Sequence, residues 1–405
     1  MGEPLVVIGN GMAAARFVAE LTSRALGRYA VAIVGEEPRL AYNRVLLSAV
    51  LAGEVERSDI VLKSASWWRE RGVTLLYGHA AVAIDPHIRR VRLASGATLP
   101  YSKLVLATGS RPIRLAVPGM DLRGVLTFRD LGDVAAIEVA AAAGRRAVVI
   151  GGGLLGLEAA YGLAKAGARV TVVHLMDRLM ERQLDHKAAA MLKRAIERKG
   201  IAIELGAATA ALRGAGRVEV VELADRRTIA TDLVVVAVGI RANVELARSA
   251  GLKVDRGIVV DDDLSTNSAG IHAIGECAEH RGVCYGLVGP AHEQADVLAR
   301  RLAGDTAAAY AGSVVATNLK VSGVNVFSAG DLMGAPGTET IVLHDPGLDT
   351  YKKLVIAGDR LVGAVLYGDT EDGLWYLDLI RSGTSIEKIR DDLVFGRALV
   401  ERMAA

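Results

Sequence analysis

The stretch Leu5–Leu21, LVVIGNGMAAARFVAEL, recurs in outline at Ala147–Gly167, AVVIGGGLLGLEAAYGLAKAG, with the leading glycines Gly9 and Gly151 standing 142 positions apart. Each copy runs from a short β-branched stretch through a glycine-rich turn into a helix-period stretch. Each is followed by a second β-branched run, YAVAIVG from Tyr29 and ARVTVVHL from Ala168. Strand, tight turn, helix and strand make a βαβ unit, whose two strands lie parallel in one sheet. One glycine pattern can arise by chance, but two with following strands point to an α/β fold with two Rossmann-like domains.

Strand-like runs around Val73–Leu76, Ile88–Leu93 and Leu104–Leu106 lie between the copies, punctuated by Gly, Pro and Asp as in an antiparallel excursion. A helix fits His186–Lys199, where Ala188, Met191, Leu192, Ala195 and Ile196 form one apolar stripe that Gly200 ends. From Ser313 the texture shifts to short runs. YKKLVI (351–356) and LVGAVLY (361–367), separated by AGDR, read as a hairpin. DGLWYLDLIRSG and SIEKIRDDLV then read as helices, so the tail is expected to be a small α+β domain.

A chain of 405 residues suits two to four domains at roughly 100–200 residues each. The 48 Lys+Arg and 46 Asp+Glu leave a net charge of +2, so no chain-wide field exists to hold nucleic acid or an anionic membrane. With 51% hydrophobic residues and a mean hydropathy of +0.31, the chain can bury several cores. Two cysteines, Cys277 and Cys284, cannot build a disulfide framework, which fits a reducing compartment. The start, MGEPLVVIGNGM, lacks the basic region of a signal peptide. The most apolar region, Ala135–Ala164, is broken by Arg145, Arg146 and glycines, short of the ~20 residues that span a bilayer. We therefore expect a cytoplasmic protein that binds neither nucleic acid nor membrane.

Gly9-Asn10-Gly11-Met12-Ala13-Ala14 is G-x-G-x-x-A. Its glycines allow a tight turn and close approach of backbone to a diphosphate, which the following helix N-terminus favours. The carboxylate that would hold a ribose hydroxyl pair about 20 residues on is Glu36 or Glu37; we take Glu36, although either also suits a solvated turn. Gly151-Gly152-Gly153-Leu154-Leu155-Gly156 is a full G-x-G-x-x-G with Glu158 on the new helix, where a first-turn acid also suits the helix dipole. Here the second strand ends at His174 instead of a carboxylate. A 2′-phosphate would want a cation such as Arg178, yet Asp177 beside it would repel that phosphate. NADH is the expected coenzyme, with NADPH left open.

The first fingerprint, ATGSRP (Ala107–Pro112) and IHAIGECA (Ile271–Ala278) together resemble the flavoproteins that carry two dinucleotide-binding domains. The resemblance implies FAD held by Gly9, Gly11, Ala14, Glu36, Thr108, Gly109, Gly275 and Glu276. Glu276 stands where that family usually has Asp, and Arg44 where it places a basic residue near the flavin or its phosphates. It implies NAD(P)H held by Gly151, Gly153, Gly156, Glu158, His174 and Gly239, the last within AVGIRAN, with Glu158 beside the nicotinamide. The implied domains are a discontinuous FAD-binding domain (1–118 and 240–312), an inserted NAD(P)H-binding domain (119–239) and the tail (313–405). The helix from Pro290 would aim its positive end at the flavin.

Within that group the chain resembles the flavin-binding part of assimilatory NAD(P)H nitrite reductase large subunits and the electron-transfer subunits of assimilatory nitrate reductases. The resemblance rests on AYNRVLLSAVLAG (41–53), VLTFRDLGDV (125–134), VTVVHLMDRLMERQLD (170–185), RGIVVDDDLSTN (256–267) and GECAEHRGVCYGLVGP (275–290). It implies hydride transfer from NAD(P)H to FAD, with Glu158 and Arg44 as catalytic residues, and electrons passed to a partner. That partner would be an iron–sulfur, molybdenum or sirohaem reductase subunit, or a rubredoxin or ferredoxin. Two cysteines cannot ligate a cluster needing four thiolates, so the expected role is the flavin reductase component.

Other readings are a stand-alone rubredoxin or ferredoxin reductase, an oxidase, and an NADH-sensing flavoprotein that acts by binding a partner. Position 43 is Asn and no C-x4-C pair is present, so a thiol relay is not expected; nor is the lysine that related reductases place after the Ser48 position, which here is Ala49. Cys277 and Cys284 have C-x6-C spacing around His280. Buried structural thiols are preferred there to a redox pair or to a metal site completed by His272 or His292. No metal is expected.

Overall fold

The computed structural model describes residues 2–141, 144–321 and 323–404. Ala142 and Ala143 of the apolar stretch, and Ser322 of the tail, lie outside the described residues. Contacts group the chain into two units: residues 1–46, 55–111 and 240–313, and residues 47–54, 112–239 and 314–405.

The first unit is built on a five-stranded parallel sheet in the order Ile271–Ala273, Lys103–Leu106, Glu3–Ile8, Tyr29–Gly35, Thr74–Tyr77. Its strands read as nearly unbroken apolar runs because both faces are covered, and Leu5, Val7, Leu104 and Leu106 are fully buried. Helix Met12–Arg24 buries Ala14, Phe17, Val18 and Leu21 on one stripe and packs on helix Val288–Ala303, which Gly304 ends in the left-handed conformation. A three-stranded antiparallel sheet (Ala81–Asp85, Arg90–Leu93, Thr98–Pro100) forms the excursion, but of the three runs expected in it only the one around Ile88–Leu93 takes part; those around Val73–Leu76 and Leu104–Leu106 pair parallel in the main sheet instead. The run expected from Ile88 begins as a strand only at Arg90. Asp85 Oδ1 accepts from the N–H groups of His87 and Ile88, which turns the chain there.

The second unit repeats the design, with a parallel sheet in the order Ala202–Glu204, Arg169–Val173, Arg146–Ile150, Leu233–Val236, Val125–Thr127. Helix Leu154–Lys165 follows the glycine turn. Helix His186–Glu197 is capped by Asp185, whose Oδ1 accepts from Ala188 N–H at 2.9 Å. The tail is a five-stranded antiparallel sheet containing the expected hairpin, Thr350–Ala357 with Arg360–Tyr367, and helix Gly373–Ser382 packs on it through Tyr376 and Phe327. The helix expected over 385–394 does not form; single 3-10 turns stand at Glu387–Ile389 and Leu393–Phe395. Ile386 N–H donates to Asp359 O in the hairpin turn, and burial of Ile386, Leu393 and Val394 overrides helical propensity.

Candidate functional site

In the first unit, Gly9 sits at φ +115°, and a Cβ there would lie 2.0 Å from Ala107 O, so only glycine lets the turn pass the neighbouring strand. Gly11 caps helix Met12–Arg24 without any side-chain hydrogen bond, and a Cβ on it would meet nothing within 4 Å. The first-turn N–H groups therefore face open space that an anion can fill. Asn10 Oδ1 is buried beside them with no hydrogen bond among the described residues. Ala14 is fully buried at the third fingerprint position.

The distant motifs converge on this cradle. Thr108 Oγ1 donates to Asn243 O (2.8 Å) and Asn243 Nδ2 donates back to Thr108 O (2.9 Å). Asn243 N–H also reaches Gly109 O at 2.9 Å, with Gly109 at φ +64°. A Cβ on Gly275 would come within 2.9 Å of Ala13 Cβ, so the last motif lies against the first turn of the fingerprint helix. Gly275 N–H donates to the buried Gln294 Oε1 (2.7 Å), and Ser110 Oγ donates to Glu276 Oε2 (2.7 Å). Helix Val288–Ala303 also starts without a side-chain cap.

At the end of strand Tyr29–Gly35 the two carboxylates differ. Glu37 accepts from Tyr42 Oη (2.7 Å) and pairs with Arg44, whose guanidinium lies 5.0 Å from the Tyr42 ring centre; Glu36 is exposed.

In the second unit, Gly151 sits at φ +124°, and a Cβ there would lie 2.2 Å from Ala237 O. One on Gly156 would lie 1.9 Å from Gly151 O. Gly153 caps its helix without a side-chain bond and is open to solvent on the Cβ side. Gly239, at φ +117°, accepts from Ile113 N–H at 3.0 Å. His174 is buried under the turn. Its Nδ1 accepts from Gly152 N–H (3.0 Å), and its Nε2 lies 3.1 Å from Glu181 Oε2. Burial pushes the Glu158 carboxyl up to about 7, against a hydrogen bond from Ser48 that pulls it down.

Glu181, Asn243, Gln294 and the Ser48 contact with Glu158 are not among the site residues that the motifs single out. Glu181 lies within the string VTVVHLMDRLMERQLD, seven places after His174, but its approach to that histidine depends on the loop bond from Met180 N–H to Gly152 O.

Cys277 is buried, with Sγ donating to Leu106 O and Ile274 O, and burial pushes both cysteine thiols up, away from the reactive thiolate. A Cβ on Gly257 would meet Cys284 Sγ at 2.9 Å, so this thiol fills packing space. Among the described residues no group of three His, Cys, Asp or Glu could hold a metal ion, and no helix is long and apolar enough to cross a membrane.

Residues 3–297 match the family model described as pyridine nucleotide-disulphide oxidoreductase, and residues 316–384 match the rubredoxin NAD+ reductase C-terminal domain. The chain is 43% identical over 384 residues to the nitrite reductase [NAD(P)H] of Bacillus subtilis, covering 95% of this chain and 48% of that one. It is 40% identical to the assimilatory nitrate reductase electron transfer subunit of the same organism, covering 98% and 51%. It thus spans about half the length of these curated relatives. Among solved structures, a putidaredoxin reductase–putidaredoxin complex superposes with a TM-score of 0.87 at 26% identity, covering 95% of this chain and 94% of that one. Two glycine cradles on two parallel sheets, and a family match over nearly three quarters of the sequence, place this chain in the pyridine nucleotide-disulphide oxidoreductase family.

Proposed function

We propose that the chain is an FAD-dependent NAD(P)H:acceptor oxidoreductase and serves as the reductase component of assimilatory nitrate or nitrite reduction. In this reading residues 1–118 and 240–312 hold FAD, 119–239 hold NAD(P)H, and 313–405 form a small C-terminal α+β domain. The observation that carries it is the pair of uncapped helix starts, each behind a glycine whose Cβ side is empty. Flavin, when bound, accepts hydride from a nicotinamide and can release electrons singly, which couples a two-electron donor to one-electron metal centres.

The chain's own residues bind and orient. The N–H groups after Gly11 hold the FAD diphosphate, Glu36 takes its ribose hydroxyls, and Thr108, Gly109, Gly275 and Glu276 line the flavin side, with Ser110 fixing Glu276. Arg44, paired to Glu37, sets the positive charge near the phosphates. The N–H groups after Gly153 hold the coenzyme diphosphate. Glu158, protonated below about pH 7, offers a carboxyl O–H to the nicotinamide carboxamide. The acceptor is a redox protein carrying iron–sulfur, molybdenum or sirohaem.

The test is an anaerobic titration of the purified protein with NADH and, separately, NADPH, read in the flavin absorbance. Prompt bleaching by either supports the reading, and a bound flavin that neither reduces overturns it. A second reading, reduction of rubredoxin or ferredoxin, is favoured by the tail's match to the rubredoxin reductase C-terminal domain. Rapid reduction of purified rubredoxin by the NADH-reduced protein would select it.

A further inference from the structure

In a Rossmann unit the adenosine ribose lies at the C-terminal end of the second strand, where a carboxylate accepts its hydroxyls. Strand Arg169–Val173 is followed instead by His174, and the imidazole does not point outward. Its Nδ1 is tied to the fingerprint itself through Gly152 N–H at 3.0 Å, and a Cβ on Gly152 would sit 2.7 Å from His174 Cγ. Because Nδ1 accepts, the ring proton sits on Nε2. Nε2–H then donates to Glu181 Oε2 at 3.1 Å.

Glu181 is delivered by a loop clamped to the same glycine. Met180, buried and at φ +50°, donates its N–H to Gly152 O at 3.0 Å. Gly152 thus fixes His174 with its N–H and the loop with its C=O. The His174 side chain is 10% exposed and that of Glu181 is 26% exposed, so the histidine is internal while the carboxylate faces solvent at the strand end. Glu181 Oε1 makes no hydrogen bond among the described residues. Arg178 donates to Asp177 Oδ1 (3.1 Å) and Glu181 O (3.4 Å) and lies 3.3 Å from His186 Nε2, while its Nε is buried without a partner among the described residues; Arg182, next to Glu181 in the chain, is exposed.

We propose that Glu181, oriented by His174, selects the coenzyme: its carboxylate accepts the adenosine-ribose hydroxyls of NADH and repels the 2′-phosphate of NADPH. This rests on the reading of the Gly151 cradle as the NAD(P)H site. It assigns the discriminating charge to the loop after the strand, with the histidine as its positioning residue.

Calorimetric titration of the flavin-loaded chain with ADP-ribose and with 2′-phospho-ADP-ribose tests this without any redox reaction. The expected result is tighter binding of ADP-ribose by roughly tenfold or more, a preference that Glu181→Gln largely erases and Glu181→Asp partly keeps. His174→Asn, which loosens the carboxylate, lowers the preference by less. A preference unchanged in Glu181→Gln, with an unaltered melting temperature, overturns the role of Glu181 alone, and so does a wild-type preference for the phosphorylated ligand. Failure of both ligands to bind the wild type overturns the second-cradle reading and this inference with it.

Discussion

The two fingerprints share one backbone path but place their bulk on opposite sides of it. In the first, the variable residue between the glycines is Asn10 and the strand end opposite it is Gly35, where a Cβ would lie 2.6 Å from Asn10 Cβ. In the second, the variable residue is Gly152 and the strand end is His174. The registers make the positions equivalent, since Ile8 pairs with Val34 and Ile150 with Val173. The same small volume is filled from the loop in one copy and from the strand in the other. The copy that fills it from the strand thereby gains an imidazole joined to the turn. The third position differs as well: Ala14 fits, whereas Gly156 has Gly151 O in the way of any Cβ.

The largest expected effects separate the two cradles by their guests. Gly11 and Gly153 are in extended backbone and open on the Cβ side, so leucine at either leaves folding nearly intact, within about 0.5–1 kcal/mol. Gly11→Leu should be purified without its flavin band. Gly153→Leu should keep the band and lose bleaching by NADH. A Gly11→Leu protein with full flavin occupancy would sink the assignment of the first cradle.

Next come the positions where the chain itself objects. Gly9→Ala and Gly151→Ala force a side chain to positive φ and against a carbonyl, and each should cost about 3 kcal/mol or more in denaturant unfolding. At the third position the copies should part: Gly156→Ala is comparably severe, while Ala14→Gly costs ~1 kcal/mol, the ordinary price of glycine within a helix.

A smaller effect probes the exchanged volume directly. Gly152→Ala meets His174 and Leu179 at 2.7–2.8 Å and should cost about 1–3 kcal/mol by overpacking. His174→Gly in the same chain should recover much of that, giving a coupling on the order of 1 kcal/mol in a double-mutant cycle. The mirror pair, Gly35→Ala with Asn10→Gly, should couple in the same way. Additive effects in either cycle would mean that the two fillings are not equivalent.

These contrasts mark what the sequence could disclose. The βαβ unit at the centre of each parallel sheet follows from β-branched runs and glycine spacing, because strand period and turn chemistry are local, whereas edge strands such as Val125–Thr127 and Ala202–Glu204 do not. Contacts that return across a loop do not. Nothing in the string signals that Met180 N–H reaches Gly152 O and so brings Glu181 to His174. Spacing alone does not disclose that Tyr42 and Arg44 engage Glu37 while Glu36 is exposed. The helix expected over 385–394 gave way to a tertiary hydrogen bond at Ile386. The acidity of Glu158 depends on its packing and on Ser48, more than a hundred positions away.

The two units also differ in the sign of their pH response. In the first unit, burial, with Lys103 adding to it, pulls His272 down to about 4; its Nε2 is buried and unpartnered among the described residues. Between pH 6.5 and 4 the unfolded chain takes up a proton that the folded chain refuses, so stability falls on acidification, by on the order of 2 kcal/mol from this group. In the second unit Glu158 is raised from 4.5 to about 7. From pH 4.5 to 7 the unfolded chain releases a proton that the folded chain retains, so stability falls as pH rises, by on the order of 1–2 kcal/mol for this half-buried group. Urea unfolding at pH 4, 6 and 8 reads both. His272→Gln should flatten the acid limb alone, and Glu158→Gln should raise stability at pH 8 while leaving pH 4 unchanged. If Glu158→Gln instead lost stability equally at every pH, its carboxyl would be ordinary, and the proton assigned to it at the coenzyme would have no physical basis.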